Sequence, residues 1–296
     1  MTGATGFVGR ALVARLIGEG CIVRAATRAK TTTGASEQAV VGEIDGQTDW
    51  RETVQQVDFV VHAAGRAHIL DDKASNPLKA FRTSNRDATL RLARQASDAG
   101  VRRFIFISTI GVNGSETAGH PLTIGGTPQP HSPYAQSKWE AEIGLREITA
   151  GSEMEHVVIR PPLIIGRDPK GNLGTLLGAI RKGVPLPFGA VTRNRRDLVS
   201  LDTLNDLIAT VVDNPGASNQ TFLVSDGSAV STRQIAEELA RLHGLSARFL
   251  PVPPSLLGAF LRLIGKASLA SQLCGDLEID MAHTRGALNW TPPSLL

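Results

Sequence analysis

The 296-residue chain has little cysteine, little clustered charge and no long uninterrupted apolar run. Only Cys21 and Cys274 are present, so no disulfide framework is implied and a reducing compartment fits. Lys and Arg exceed Asp and Glu by only +3, and the densest basic cluster, Arg193-Asn194-Arg195-Arg196, is short and interrupted. That argues against nucleic acid as a partner. The stretch 254–273 is the nearest approach to a membrane span, but Arg262, Lys266 and Gln272 interrupt it, and a helix packed on the core is expected there. With no signal-peptide pattern either, the expectation is a cytoplasmic protein without stable membrane insertion. No repeat or low-complexity linker divides the chain, and 42% hydrophobic residues are enough for a full core.

What is present is an alternation of strand and helix patterns. Gly3, Gly6 and Gly9 are followed by Val8, Ala11, Leu12 and Leu16 at helical spacing, a glycine-rich turn entering a helix. Apolar runs at 21–26, 57–63, 104–108 and 157–159 read as strands, with helices at 77–99 and from Pro133 onward between them. Runs of this kind suit parallel strands buried on both faces. The predicted fold is α/β, a Rossmann-like doubly wound parallel sheet with a smaller C-terminal substrate-binding region. Residues 1–166 are expected to form the NAD(P)-binding domain, with about 197–225 returning to it, and 167–196 and 226–296 the substrate-binding region. Helices are predicted at 172–182, 204–212 and 232–243, and a strand at 221–224. Only Met1 precedes Thr2, so the apolar strand that should lead into the turn is not seen. A truncated start is expected, with ladder groups left exposed at the centre of the sheet.

The chemistry concentrates in Ser132-Pro133-Tyr134-Ala135-Gln136-Ser137-Lys138. Residues i and i+4 share a helix face, so the Lys138 ammonium is expected beneath the Tyr134 phenol, lowering it from its ordinary value near ~10. Thr109, after the run 104–108, offers a second hydroxyl to the same substrate oxygen. The triplet suits moving a proton on or off an alcohol. The glycine spacing departs from G-x-G-x-x-G, yet glycine still serves a tight turn and close approach to a pyrophosphate. The strand ending Val23-Arg24-Ala25-Ala26-Thr27-Arg28 lacks the acid that binds ribose hydroxyls, and Arg28 suits a 2'-phosphate, so NADP is favoured over NAD. His62 reads as structural. His68, His120, His131, His156, His243 and His283 share no ligand spacing, and no metal site is expected. Asp71-Asp72 read as a loop and Glu140/Glu142 as an exposed helix face, neither a catalytic pair.

Thr2-Gly3-Ala4-Thr5-Gly6-Phe7-Val8-Gly9, His62-Ala63-Ala64-Gly65, Asn85, Ser108-Thr109, Tyr134-Ala135-Gln136-Ser137-Lys138, Arg160-Pro161-Pro162 and Arg196-Asp197-Leu198-Val199 together resemble the extended short-chain dehydrogenase/reductase family. The likeness is to its nucleotide-sugar epimerase, reductase and dehydratase branch, in that order over nearly the whole chain. It implies Tyr134 as catalytic acid/base, Lys138 as its activator and ribose ligand, and Thr109 as the group orienting the substrate oxygen. It implies cofactor contacts at Gly3, Gly6, Phe7, Val8, Gly9, Ala63, Ala64, Gly65, Asn85, Pro161 and Ile164. Substrate contacts are implied at Asn172, at Phe188 in the wall of a uracil pocket, and at Arg196 as a bidentate diphosphate ligand. A UDP-sugar substrate follows, as does a homodimer formed through helices 77–99 and 134–148. Dehydratases of the family carry Asp-Glu after the threonine, whereas Ile110-Gly111 stands here, which argues against that reaction. Arg28 then tips the expectation toward an NADP-dependent reductase of a UDP-4-keto-6-deoxy-N-acetylhexosamine in bacterial surface polysaccharide biosynthesis. The alternative is a UDP-glucose or UDP-N-acetylglucosamine 4-epimerase with bound NAD. A non-catalytic NADP-sensing regulator is disfavoured by the Tyr–Lys pair, and a reductase of hydrophobic ketones would not need Arg196.

Overall fold

The computed structural model describes residues 1–67, 76–117 and 119–293. His68, Asp71 and Asp72 fall outside the described residues. The strands are β1 (Arg24–Thr27), β2 (Glu37–Val40), β3 (Phe59–His62), β4 (Arg103–Ile107), β5 (Glu155–Arg160), β6 (Leu163–Ile165), β7 (Leu198–Ser200) and β8 (Gln220–Leu223). All pair in parallel, β1 with β2, β3-β4-β5-β8 in that order, and β6 with β7.

The two larger groups meet at Thr2. It bridges Ala26 of β1 on one side and His62 of β3 on the other. Ala26 N donates to Met1 O at 2.8 Å and Thr2 N donates to Val61 O at 3.0 Å. The order across the sheet is therefore β2-β1-Thr2-β3-β4-β5-β8, the doubly wound arrangement, with the glycine turn at its centre. Met1 and Thr2 thus span part of the central ladder, beside Ala26 and Val61. All five residues of β4 are buried, whereas β2 is mostly exposed and lacks the apolar run that marks a buried strand.

Helices cover both faces. α1 (Phe7–Gly18) packs Leu12, Val13 and Leu16 into one core with Val61, Ile105 and Ile159. The helix predicted over 77–99 is three pieces: α2 (Pro77–Phe81), a π-helical turn (Arg82–Asp87) and α3 (Ala88–Asp98). With α4 (Pro133–Ala150), α3 covers the opposite face, where Leu92, Ala96 and Leu145 pack on Phe104 and Phe106. α4 starts where Ser132 accepts from Ala135 N, with Pro133 in the first turn, a position proline tolerates.

The remaining helices are α5 (Gly171–Arg181), α6 (Leu201–Asp213), α7 (Thr232–Leu242), α8 (Pro254–Leu263), α9 (Ala267–Cys274) and α10 (Ala282–Leu288). α6 belongs to the main core, beside α1. Its Leu204, Leu207, Ile208 and Val211 are each fully buried, worth about 1.5–3 kcal/mol apiece. α5, α7 and α8 enclose a separate core of Leu173, Leu177, Ile180, Ile235, Leu239 and Leu261. The single core-packed helix expected over 254–273 is instead two. The chain breaks at Gly265, whose φ is +75°, and α8 buries Leu257 and Leu261 while Leu256, Phe260 and Leu263 face outward. Among the described residues no helix is long and apolar enough to cross a membrane.

Candidate active site

The glycine turn is built for close approach. Gly3 has φ +72°, and a Cβ there would lie 2.7 Å from the Ala63 carbonyl carbon and 2.8 Å from Ala64 N. A Cβ on Gly9 would collide with Gly3 O, so only glycine lets α1 start this close to the sheet. Gly6 is the N-cap of α1, and no side chain caps it. The first-turn amides, including those of Phe7, Val8 and Gly9, therefore have no acceptor within the helix. Such a turn fits the pyrophosphate of a dinucleotide. Ala63, Ala64 and Gly65 continue from β3 alongside it, with Ala64 N donating to Thr2 Oγ1 at 3.1 Å. Arg28 is exposed just past β1, as are Ala29 and Lys30.

Lys138 is the best-defined chemical group. It is 4% exposed, its Nζ donates to Ile107 O at 2.8 Å, and the ammonium lies 4.4 Å from the centre of the Phe106 ring. Burial pulls it down to about 7, against a smaller opposing pull from Glu142. Tyr134 is half-buried with its ring edge-on to Phe81 at 5.9 Å, and desolvation pushes its phenol up to about 12. This corrects the expectation of a phenol lowered by Lys138: in the chain alone, desolvation sets the direction for both groups, raising Tyr134 and lowering Lys138. Thr109 caps a short 3-10 turn, Ile110–Val112, its Oγ1 accepting from Gly111 N at 3.2 Å. A Cβ on Gly111 would meet His131 Cε1 at 3.2 Å, Ala135 Cβ at 3.3 Å and Thr109 Oγ1 at 3.4 Å. The Thr109 hydroxyl and the first turn of α4 therefore adjoin at one point, with only Gly111 small enough to stand between them.

Asn85 sits in the π-helical turn and is fully buried. Its Oδ1 accepts from Arg66 N at 2.7 Å, and its Nδ2 donates to Arg66 O at 3.1 Å and to Ser137 Oγ at 3.0 Å. It thus joins the segment after β3 to the residue beside Lys138. A Cβ on Gly65 would lie 3.0 Å from Asn85 Oδ1 and 3.4 Å from Lys138 Nζ, so these three share one corner. Pro161 O accepts from Ile110 N at 2.9 Å, lacing the segment after β5 to the Thr109 turn, and Ile164 in β6 packs on the main core.

Glu142 overturns the reading of an exposed helix face. It is fully buried and pairs with Arg160 Nη2 at 2.6 Å while Ser108 Oγ donates to it at 2.6 Å. Arg160 Nη1 also donates to Asn113 Oδ1 at 2.9 Å, so the network braces both flanks of Thr109. The sequence signal was Arg160 closing an apolar strand, where an arginine demands a buried partner. His62 is buried, joined to Thr2 Oγ1 at 2.7 Å, and held neutral down to about 3 by desolvation and then by Lys138.

In the C-terminal region the candidates separate. Asn172, near the start of α5, donates to Gln272 Oε1 of α9 at 2.8 Å. Arg196 donates from Nη1 to Gly275 O at 2.9 Å, and burial lowers its pKa. Arg195 pairs with Glu278 at 2.8 Å, and Arg193 is exposed. Phe188 does not line an open wall: it is 5% exposed, and its ring packs edge-on to Phe249 at 6.1 Å in the second core.

Comparison with known proteins settles the family. The model of the NAD dependent epimerase/dehydratase family matches residues 1–225. The chain belongs to that family. This epimerase/dehydratase family member is 43% identical over 298 residues to a UDP-glucose 4-epimerase of Vibrio cholerae, a match covering 100% of this chain and 91% of the relative. A structure of MoeE5 in complex with UDP-glucuronic acid and NAD superposes with a TM-score of 0.77 at 21% identity, covering 99% of this chain and 93% of that one. The UDP-glucose 4-epimerase of Thermotoga maritima with UDP-glucose gives 0.76 at 19% identity, covering 98% and 92%. Membership makes this chain an NAD(P)-dependent enzyme of the epimerase and oxidoreductase type on a Rossmann-like fold.

Proposed function

We propose that the protein is a UDP-sugar 4-epimerase that uses bound NAD. The observation that carries this reading is the full-length 43% identity to a UDP-glucose 4-epimerase. It takes precedence over the NADP-dependent reductase, toward which Arg28 tipped the sequence reading. NAD bound in the MoeE5 complex supports the cofactor. When bound, the nicotinamide supplies reversible hydride uptake at the C4 carbon. Tyr134, in the ionised form that the cationic cofactor and Lys138 would have to favour against desolvation, takes the proton from the 4-hydroxyl as the ketone forms and returns it when the alcohol is restored. Thr109 donates a hydrogen bond to the same oxygen as charge develops on it. Lys138 holds a cation near the phenol. The turn at Gly3, Gly6 and Gly9 with the first-turn amides of α1 holds the pyrophosphate, Ala63 to Gly65, Pro161 and Ile164 border the rest of the dinucleotide, and Asn85 supports that border from behind through Arg66 and Ser137. Arg196 pairs with the diphosphate of the substrate, and Asn172 borders it. Phe188 acts from behind, as packing for the wall rather than as the wall. The active form is a homodimer through α3 and α4.

The test is incubation of the NAD-loaded protein with UDP-glucose and with UDP-N-acetylglucosamine, following C4 configuration by NMR. Interconversion without net NADH supports the reading. Arg28, exposed just past β1 in a stretch, 20–36, that carries no Asp or Glu, favours a second reading, 4-keto reduction with NADPH. Stoichiometric NADPH consumption with a UDP-4-keto-6-deoxy-N-acetylhexosamine, and no interconversion of either alcohol, would replace the first reading by the second.

A further inference from the structure

Two observations on the C-terminal region converge. The first is an outward apolar stripe. Leu256, Phe260 and Leu263 recur at i, i+4 and i+7 on α8 and are 63%, 58% and 85% exposed, and Ile264 extends the stripe at 47%. Leu250, on the segment leading into the helix, adds another exposed leucine at 48%. The opposite face of α8, with Leu257 and Leu261, is already buried in the second core. A helix apolar on both sides has an unsatisfied side, and an exposed patch of this kind marks an interaction surface.

The second is charge. Residues 169–196 carry six Lys or Arg and no Asp or Glu, and residues 244–275 carry three and none. These two acid-free stretches total +9 in a chain whose net charge is +3, which leaves −6 over the remainder; Arg195 is paired with Glu278 and Arg196 is largely buried, and the other seven cations are exposed. Arg262 and Lys266 are exposed on either side of Leu263 and Ile264, at the end of the stripe. Apolar side chains flanked by basic ones, without a single carboxylate in either stretch, match an anionic lipid surface: the apolar residues enter the acyl boundary and the cations meet the headgroups.

We infer that the outward face of α8 docks the protein peripherally on an anionic membrane surface. α9 follows α8 after the Gly265 turn, and its Gln272 holds Asn172, while Gly275 just beyond holds Arg196. Docking therefore sets the lobe that contains α8 and α9, and with it the Asn172 and Arg196 contacts, against the bilayer. The inference does not depend on which reaction the enzyme catalyses.

The experiment is co-sedimentation of the full chain with unilamellar vesicles of phosphatidylglycerol, of phosphatidylcholine and of their mixture, at low and high salt. Expected is binding that rises with the phosphatidylglycerol fraction, weakens with salt, and falls at least tenfold in a Leu256→Ser/Phe260→Ser/Leu263→Ser variant with an unchanged Tm. A Lys266→Glu/Arg262→Glu variant should lose the preference for anionic vesicles. No sedimentation with any vesicle, or equal binding by parent and triple-serine variant, overturns the inference. So does a fall in oligomer size in the triple-serine variant by analytical ultracentrifugation, which would mean that a second copy of the chain covers the face.

Discussion

At the scale of single residues, the site holds its reactive groups under tension with their solvation. Lys138 is buried where a cation is disfavoured, and its pKa falls from 10.5 to about 7. A depressed lysine contributes full stability above its unfolded value and loses it as pH falls toward the folded one. Between pH 10.5 and 7 it therefore costs the fold about 1.4 kcal/mol per pH unit. Lys138→Met should raise Tm near neutral pH while abolishing turnover, and the gain should shrink as pH climbs from 7 toward 10. A constant Tm difference across that range would contradict the burial argument. Tyr134→Phe should lower turnover by orders of magnitude and leave dinucleotide affinity, read by equilibrium dialysis, nearly unchanged. Glu142→Ala strands Arg160 without its carboxylate and should cost ~3–5 kcal/mol in urea unfolding. The sequence made Tyr134, Lys138 and Thr109 legible because a four-residue spacing is local. The Glu142–Arg160 pair joins a helix to a strand 18 residues on, and α4 has no clean apolar stripe to show which of its polar residues turn inward.

At the scale of elements, the strands of the sheet interior were readable as apolar runs, and the helices by their spacing. What escaped were pieces whose reason is tertiary. The exposed β2 has no apolar run, and β6 and β7 are three residues each, visible only once they pair. The π-helical turn inside the predicted 77–99 helix leaves no mark in the periodicity, yet it falls at Asn85, whose buried amide spans two segments. The glycine turn is the reverse case, where local sequence and distant packing agree. Gly9→Ala should separate α1 from the sheet at Gly3, lower Tm, and reduce dinucleotide binding by tenfold or more in a fluorescence titration. Wild-type affinity in that variant would show that the turn tolerates a methyl group the geometry forbids.

At the scale of the whole molecule, the chain passes between its two cores several times. It leaves the main core after β6, returns at β7 to build α6 and β8, and leaves again for α7 and α8. Neither core is a contiguous stretch, so the two should lose structure together. Urea unfolding followed by tryptophan fluorescence and by far-UV circular dichroism should give one coincident transition, and two separated midpoints would contradict that coupling. The parallel pair β6–β7 has a further consequence for change over evolutionary time. Everything between Ile165 and Leu198 departs and re-enters through neighbouring rungs, Leu163 beside Leu198 and Ile165 beside Ser200. A stretch rooted at so narrow a neck is an exchangeable cassette: descendants can lengthen, shorten or rewrite it while the two rungs that anchor it stay as inherited.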